Sequence, residues 1–131
     1  MDKAIKEGSR AFAKFLGWEQ VPGRDTEFRV SNLFPICNID DEENTGWVSE
    51  DVEDFLFHED WGWLMAVYDR ITSIDNGRWD VEIKKDAIII TDSRPYGKMG
   101  FEYQKTNEKN TRELLFNAMA RYIKEGLFNE Q

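Results

Sequence analysis

The sequence has little of what exported, metal-binding and membrane proteins require: one cysteine and one histidine occur in 131 residues. Cys37 cannot form a disulfide within the chain, and one Cys with one His does not supply the ligands of a zinc site. No apolar run approaches the roughly 18 residues of a membrane-spanning helix, and the first ten residues lack the apolar core of a signal peptide. We therefore predict a cytoplasmic protein without disulfides, cofactor or bound metal.

Basic residues are absent from a long central stretch, because no Lys or Arg occurs between Arg29 and Arg70. The stretch contains eleven Asp and Glu residues and carries −11, whereas the whole chain carries −9 and the remainder carries +2. Unpaired carboxylates are costly to bury, so these side chains should face solvent or a positively charged partner. The same charge disfavours direct binding of nucleic acid and of anionic membranes.

The composition is that of a folded protein, with five Trp and nine Phe among 40% hydrophobic residues. At this length the chain can close one hydrophobic core, and a second independent core is not expected. Pro22, Gly23, Pro35 and the acidic residues interrupt any long element in the central part of the chain. We predict a single domain, residues 1–131, with an ordered acidic excursion at about residues 31–60 that buries its own apolar side chains.

Three amphipathic helices are predicted from apolar residues at three- and four-residue spacing. They cover residues 2–16, residues 60–72, and a closing stretch that starts after Thr106 or Asn110 and ends at Gly126. The apolar stripe of the second helix is predicted to comprise Trp61, Leu64, Tyr68 and Ile71.

Strands are predicted where apolar residues alternate between turn signals, at residues 78–84, 87–91 and 98–104. Short turns between them indicate an antiparallel meander, and residues 28–30 and 33–39 are shorter extended segments. A sheet with one apolar face must be covered by other elements. The predicted fold class is α+β, with a three- to four-stranded meander sheet packed with about three amphipathic helices in a layered sandwich.

Three sequence features resemble small uncharacterised proteins of tailed phages and prophages. They are the short first helix ending in Gly17-Trp18, the segment FHEDWGWLM at residues 57–65, and the closing amphipathic helix. Similar sequences often contain an aromatic residue and His, two variable residues, then Trp-x-Trp-Leu-Met, followed by Pro where this chain has Ala66. The resemblance covers about half of the chain. It implies an α/β/α sandwich and a non-essential phage-type protein acting in bacterial cytoplasm, and it assigns no catalytic residue.

Metal or acid-base chemistry has two candidate locations in the sequence, and both are weak. His58 lies beside two acids near the start of a helix, but no second His or Cys is close to it, so a structural role is favoured. A calcium-loop frame places Asp40, Glu42, Asn44 and Asp51 at positions 1, 3, 5 and 12. In that frame Gly46 occupies position 7, where the turn requires glycine at position 6, and the last ligand is Asp where Glu is usual. We predict no metal site and no catalytic residue.

The most distinctive feature is therefore the acidic excursion and the tryptophans near it. Tryptophan often carries binding energy in interfaces, and a dense carboxylate surface can compete with nucleic acid for a basic groove. We predict a non-enzymatic binding protein that docks onto a basic site of a host protein and inhibits a bacterial defence or nucleic-acid-handling factor. The predicted partner-binding residues are Asp40, Asp41, Glu42, Glu43, Trp47, Glu50, Asp51, Glu53, Asp54 and Trp63.

The sequence leaves two alternatives open. The first is an oligomeric protein that sequesters an anionic nucleotide, for which the cations outside the acidic stretch would supply the binding groups. The second is a divalent-metal-dependent enzyme built on the Asp and Glu cluster. The cations of the first alternative are Arg78, Lys84, Arg94, Lys98, Arg112 and Arg121.

Overall fold

The computed structural model describes residues 2–31, 34–35, 46–94 and 100–127. The described chain contains three longer helices and five strands, which confirms the predicted α+β class. The helices are α1 (Lys3–Phe15), α2 (Trp61–Ser73) and α3 (Thr111–Lys124). The strands are β1 (Glu27–Ser31), β2 (Trp47–Asp51), β3 (Trp79–Ile83), β4 (Ala87–Asp92) and β5 (Gly100–Gln104).

The strands form two antiparallel sheets. The three-stranded sheet has the order β3-β4-β5 and is the predicted meander; in its register Val81 lies opposite Ile90, and Ile90 lies opposite Phe101. The second sheet contains β1 and β2, with Val30 opposite Val48. The sequence pattern did not predict this second pairing, because the two strands are separated by a long acidic connection and not by a short turn.

The ends of the helices are fixed by local side-chain chemistry. Asp2, Asp60 and Asn110 cap α1, α2 and α3, each accepting a hydrogen bond from a main-chain N–H of the first turn. Gly17 and Gly126 follow α1 and α3 with φ of 82° and 68°, the left-handed conformation that ends many helices. The sequence left Thr106 and Asn110 as alternatives for the third cap, and the structure selects Asn110.

The core lies between the helices and the inner faces of the two sheets. Helix α2 packs on β3, α3 packs on β4, and α1 crosses α3. The approach of α1 to α3 is close: a Cβ atom at Gly8 would lie 2.7 Å from Cε1 of Phe116. This close approach brings the aromatic side chains of Phe12 and Phe116 into edge-to-face contact, with centroids 4.9 Å apart.

In its described part, the acidic excursion does not bury all of its apolar side chains as predicted. Phe55 and Phe57 are fully buried, and a short 3-10 helix, Val52–Asp54, leads into them from β2. Trp47, Val48 and Leu56 are exposed, so the prediction was wrong for these three residues. The reason for Trp47 and Val48 is that β2 lies at the end of a two-stranded sheet, where little protein covers its side chains.

Candidate functional site

The acidic segment is defined here as residues 46–60, the described part of the predicted excursion. It contains six carboxylates and no Lys or Arg. Several of these carboxylates have local roles: Asp51 accepts hydrogen bonds from Thr26 Oγ1 and from the main-chain N–H of Glu53, both at 3.0 Å. Glu53 lies 3.6 Å from Lys6 Nζ in an exposed ion pair. The carboxylates of Glu50 and Asp54 form no hydrogen bond or ion pair with any described residue, so these two charges are not neutralised within the described part of the protein.

Large apolar side chains are exposed in the same segment and at its end. The exposed fraction is 64% for Trp47, 42% for Val48, 39% for Leu56 and 43% for Trp61. Among the described residues, Ile83 is the one further large apolar side chain with comparable exposure. Four of five such side chains therefore lie within residues 47–61, next to the highest density of negative charge in the described chain.

In helix α2, Trp63 packs against the core and Trp61 is exposed, although the predicted apolar stripe contained Trp61. Trp63 packs into an aromatic cluster, with its ring centroid 4.8 Å from that of Phe34, 5.1 Å from that of Phe57 and 6.1 Å from that of Trp18. The expectation that Trp61 lies on the core stripe was wrong, because its position at the first turn of α2 leaves it beyond the covering elements. The role of Trp63 as a binding anchor stays a prediction, and its ring contacts four aromatic rings within the protein.

Part of the predicted surface lies outside the described residues. Asp40, Asp41, Glu42 and Glu43 belong to this part, as does most of the proposed calcium-loop frame. Of that frame Asp51 is described, and its carboxylate already accepts two hydrogen bonds. Within residues 2–31, 34–35, 46–94 and 100–127, no group of three or more His, Cys, Asp or Glu side chains could hold a metal ion.

His58 lies at a cavity of about 410 Å³ between the start of α1, the connection from β5 to α3, and the first turns of α3. Its side chain is 21% exposed, and Nε2 lies 3.3 Å from the carboxylate of Glu59. Its main-chain carbonyl accepts a hydrogen bond from Arg112 Nε at 3.0 Å, which links the turn at residues 57–59 to α3. His58 therefore lies at the edge of this cavity, and its structural role stays a prediction.

The same cavity is lined by Glu108, a buried carboxylate that the sequence patterns did not single out. It accepts hydrogen bonds from the Thr106 N–H at 2.8 Å, Asn117 Nδ2 at 2.8 Å and Tyr103 Oη at 3.0 Å. Burial by itself would raise its pKa, but these donors outweigh burial and lower the pKa to about 2. Because its acceptor sites are filled from three elements, Glu108 fixes the connection between β5 and α3.

A second buried charge, that of Asp92, links the start of β3 to the end of β4. Asp92 is buried and lies 2.8 Å from Arg94 Nη2 and 3.0 Å from Arg78 Nη2. The hydrogen bond from Arg94 is the main reason that the pKa of Asp92 is lowered to about 2. Arg78 also stacks over Trp79, with its guanidinium carbon 4.8 Å from the ring centroid. The sequence gave no signal for this cluster, because Arg78 precedes β3 whereas Asp92 and Arg94 lie at the end of β4, and only the strand pairing brings them together.

The cations named for nucleotide binding are mostly engaged within the protein. Arg78 and Arg94 share Asp92, Arg112 holds the carbonyl of His58, and Arg121 pairs with Glu125 at 3.1 Å. Lys84 is exposed, and Lys98 lies outside the described residues. A cleft of about 580 Å³ is lined by Lys14, Arg70 and Lys124, each in the last turn of its helix. The carboxyl end of a helix favours nearby cations, so the three cations at this cleft are explained by the stabilisation of their own helices.

A groove of about 850 Å³ lies between residues 16–21 and the sheet of β1 and β2. Trp18, Val21 and Phe34 contribute apolar surface to it, and Trp47 and Val48 line its β2 side.

None of the described helices is both long and apolar enough to cross a membrane. Comparison of the chain with protein-family models, with curated proteins and with solved structures finds no match.

Proposed function

We propose that this protein is a non-enzymatic binding protein that docks the acidic segment onto a basic site of another protein. The observation that carries the proposal is the coincidence, within residues 47–61, of four exposed large apolar side chains with carboxylates and no cation. Scattered exposed apolar residues are normal, whereas a concentration of them beside uncompensated charge is typical of interaction surfaces. Trp47 and Trp61 are the anchors, since exposed tryptophans contribute more than most residues to binding.

The charge of the segment selects the class of partner. The carboxylates of Glu50 and Asp54 have no described internal partner, and Arg24 and Arg29, on or next to the strand paired with β2, are themselves opposed by Glu27 and Glu19. A basic protein surface would be attracted to this region and would associate faster at low ionic strength. In line with the phage resemblance, the partner that we propose is a bacterial host protein whose basic site handles nucleic acid or serves defence. The protein would inhibit it by occupying that site.

The proposal is tested with two variants that change charge equally in different places. One carries Glu50→Lys, Glu53→Lys and Asp54→Lys in the acidic segment. The matched control carries Asp80→Lys, Glu82→Lys and Glu102→Lys, three exposed acids of the three-stranded sheet. Each set of three reversals raises the net charge from −9 to −3.

The measurement is the affinity for a partner isolated from bacterial lysate with the unaltered protein, determined at low and high salt. We expect the segment variant to lose roughly tenfold or more in affinity and the control to remain close to the unaltered protein. Equal binding by all three proteins would contradict the proposal. Equal weakening by both variants would show that total charge, and not this surface, governs association.

A further inference from the structure

The outer edge of β2 has main-chain groups that no described residue binds. Two sets of hydrogen bonds determine which groups these are. On one side of β1, Val21 N–H donates to the Glu27 carbonyl and Arg29 N–H donates to the Glu19 carbonyl. The odd-numbered residues of β1 therefore direct their main-chain groups toward residues 19–21, and the even-numbered residues direct theirs toward β2.

The register then assigns the groups of β2. Phe28 lies opposite Glu50 and Val30 lies opposite Val48, so Glu50 and Val48 direct their main-chain groups toward β1. The hydrogen bond from Val52 N–H to the Thr26 carbonyl continues the same pattern. It follows that Trp47, Ser49 and Asp51 direct their N–H and C=O groups away from β1.

The outer edge of β2 lacks the proline and lysine that often block edge strands, and its charges, on Glu50 and Asp51, disfavour an acidic added strand and favour a basic one. Trp47, Val48 and Ser49 are exposed. Such an edge can accept an added strand, in which main-chain hydrogen bonds give affinity and side-chain pockets give specificity. The apolar groove lined by Trp47 and Val48 adjoins this strand and would receive side chains from an added one.

We propose that the edge of β2 binds an extended, basic segment of the partner protein by strand addition. The proposal rests on the proposed function and specifies how the docking occurs. Glu50 and Asp51 lie on opposite faces of the strand and would pair with cationic side chains on both faces, while Trp47 and Val48 would contact apolar ones. A second copy of the chain is the disfavoured occupant, because its own acidic strand would lie against the first.

The test uses Ser49, whose N–H points outward, so that proline there blocks the edge and leaves the ladder to β1 intact. Ser49→Pro removes the outward donor and places the proline ring where an added strand would lie. Ser49→Ala is the matched control, because both variants lose the hydrogen bond from Ser49 Oγ to Glu27 Oε2 and only the proline variant loses the N–H. Circular dichroism and thermal melting establish that both variants fold.

The probe is a fluorescently labelled peptide of about eight residues that alternates Arg and Val, with an alternating Glu and Val peptide as its counterpart. Fluorescence anisotropy at low salt should show binding of the Arg-Val peptide to the unaltered protein and to Ser49→Ala. Binding to Ser49→Pro should be weaker by roughly tenfold, and the Glu-Val peptide should not bind. Hydrogen exchange on the unaltered protein should show new protection of the Ser49 amide in the complex, with the Val48 and Glu50 amides protected in both states.

The outcomes separate the two proposals. Equal binding of the Arg-Val peptide by Ser49→Pro and Ser49→Ala, or no new protection of the Ser49 amide, overturns strand addition. If the triple charge reversal in the acidic segment abolishes binding while Ser49→Pro retains it, the docking surface stands and the strand-addition mode fails. If the charge reversal leaves peptide binding unchanged, the proposed function itself fails. No binding of the Arg-Val peptide to the unaltered protein also overturns strand addition.

Discussion

Truncation of Trp63 in α2 should lower the stability of the fold, whereas truncation of Trp61, two residues earlier, should leave it nearly unchanged. Trp63 contacts four aromatic rings, those of Trp18, Phe34, Phe55 and Phe57, with centroids between 4.8 and 6.1 Å away. Trp61 is 43% exposed at the first turn of the same helix. The apolar stripe in the sequence predicts that Trp61 contributes to core stability, whereas the contacts in the structure indicate that Trp63 does.

The expected magnitude follows from these contacts. Truncation of a core aromatic residue to alanine costs about 3–5 kcal/mol, and Trp63 belongs at the lower end of that range because it is only partly buried. We therefore expect Trp63→Ala to lower the free energy of unfolding by about 3 kcal/mol, which lowers the Tm by roughly 10 °C for a domain of this size. Trp61→Ala should change the free energy of unfolding by no more than about 0.5 kcal/mol, as for an exposed surface residue.

Urea unfolding followed by far-ultraviolet circular dichroism measures both variants without relying on tryptophan fluorescence. Comparable denaturant slopes for the three proteins would establish that the same transition is compared. A loss of stability in Trp61→Ala equal to that in Trp63→Ala would refute the reasoning, because it would place both rings in the core. A second readout is partner affinity, which Trp61→Ala should reduce although it leaves stability nearly unchanged.

Two further predictions concern buried carboxylates and a strand glycine. The pKa values of Asp92 and Glu108 are both about 2, below their ordinary values of 3.8 and 4.5, so their stabilisation is nearly complete above about pH 5 and is lost as pH falls toward 2. Acid unfolding curves should show this loss, and Glu108→Gln together with Asp92→Asn should flatten it; an unchanged pH dependence in the double variant would contradict the assignment. Gly100 has φ of 153°, and a Cβ there would lie 2.6 Å from the Ile90 carbonyl oxygen. Gly100→Ala should therefore destabilise the sheet by about 2 kcal/mol or more in thermal melting, whereas a near-neutral result would mean that the strand adjusts easily.

The helices and the meander were predictable because their signals are local. Three- and four-residue apolar spacing defined α1, α2 and α3 to within one or two residues, apart from the start of α3, for which Thr106 and Asn110 were alternatives. Alternation in β3 and a buried isoleucine run in β4 defined a hairpin whose turn, at residues 84–86, needs few residues. Periodicity, capping and turn residues act over distances of a few residues, so the sequence displays them directly.

The pairing of β1 with β2 was not predictable from such signals. Its partners, such as Phe28 and Glu50, are separated by about twenty residues, and β2 does not alternate between apolar and polar side chains. Its stability comes from main-chain pairing and from the burial of Phe28 and Val30 on the neighbouring strand. The candidate binding edge is therefore a product of chain packing and not of a motif.

The sequence by itself determined the class of fold, the placement of the helices and the uneven distribution of charge, because these depend on local periodicity and on composition. Tertiary structure alone decided that Trp63 joins the aromatic cluster while Trp61 is exposed, and that Glu108 and Asp92 are buried among donors. It also decided that no described residue pairs with the outer edge of β2. Burial and partner choice are set by segments distant in the chain, whose meeting depends on how the whole core closes.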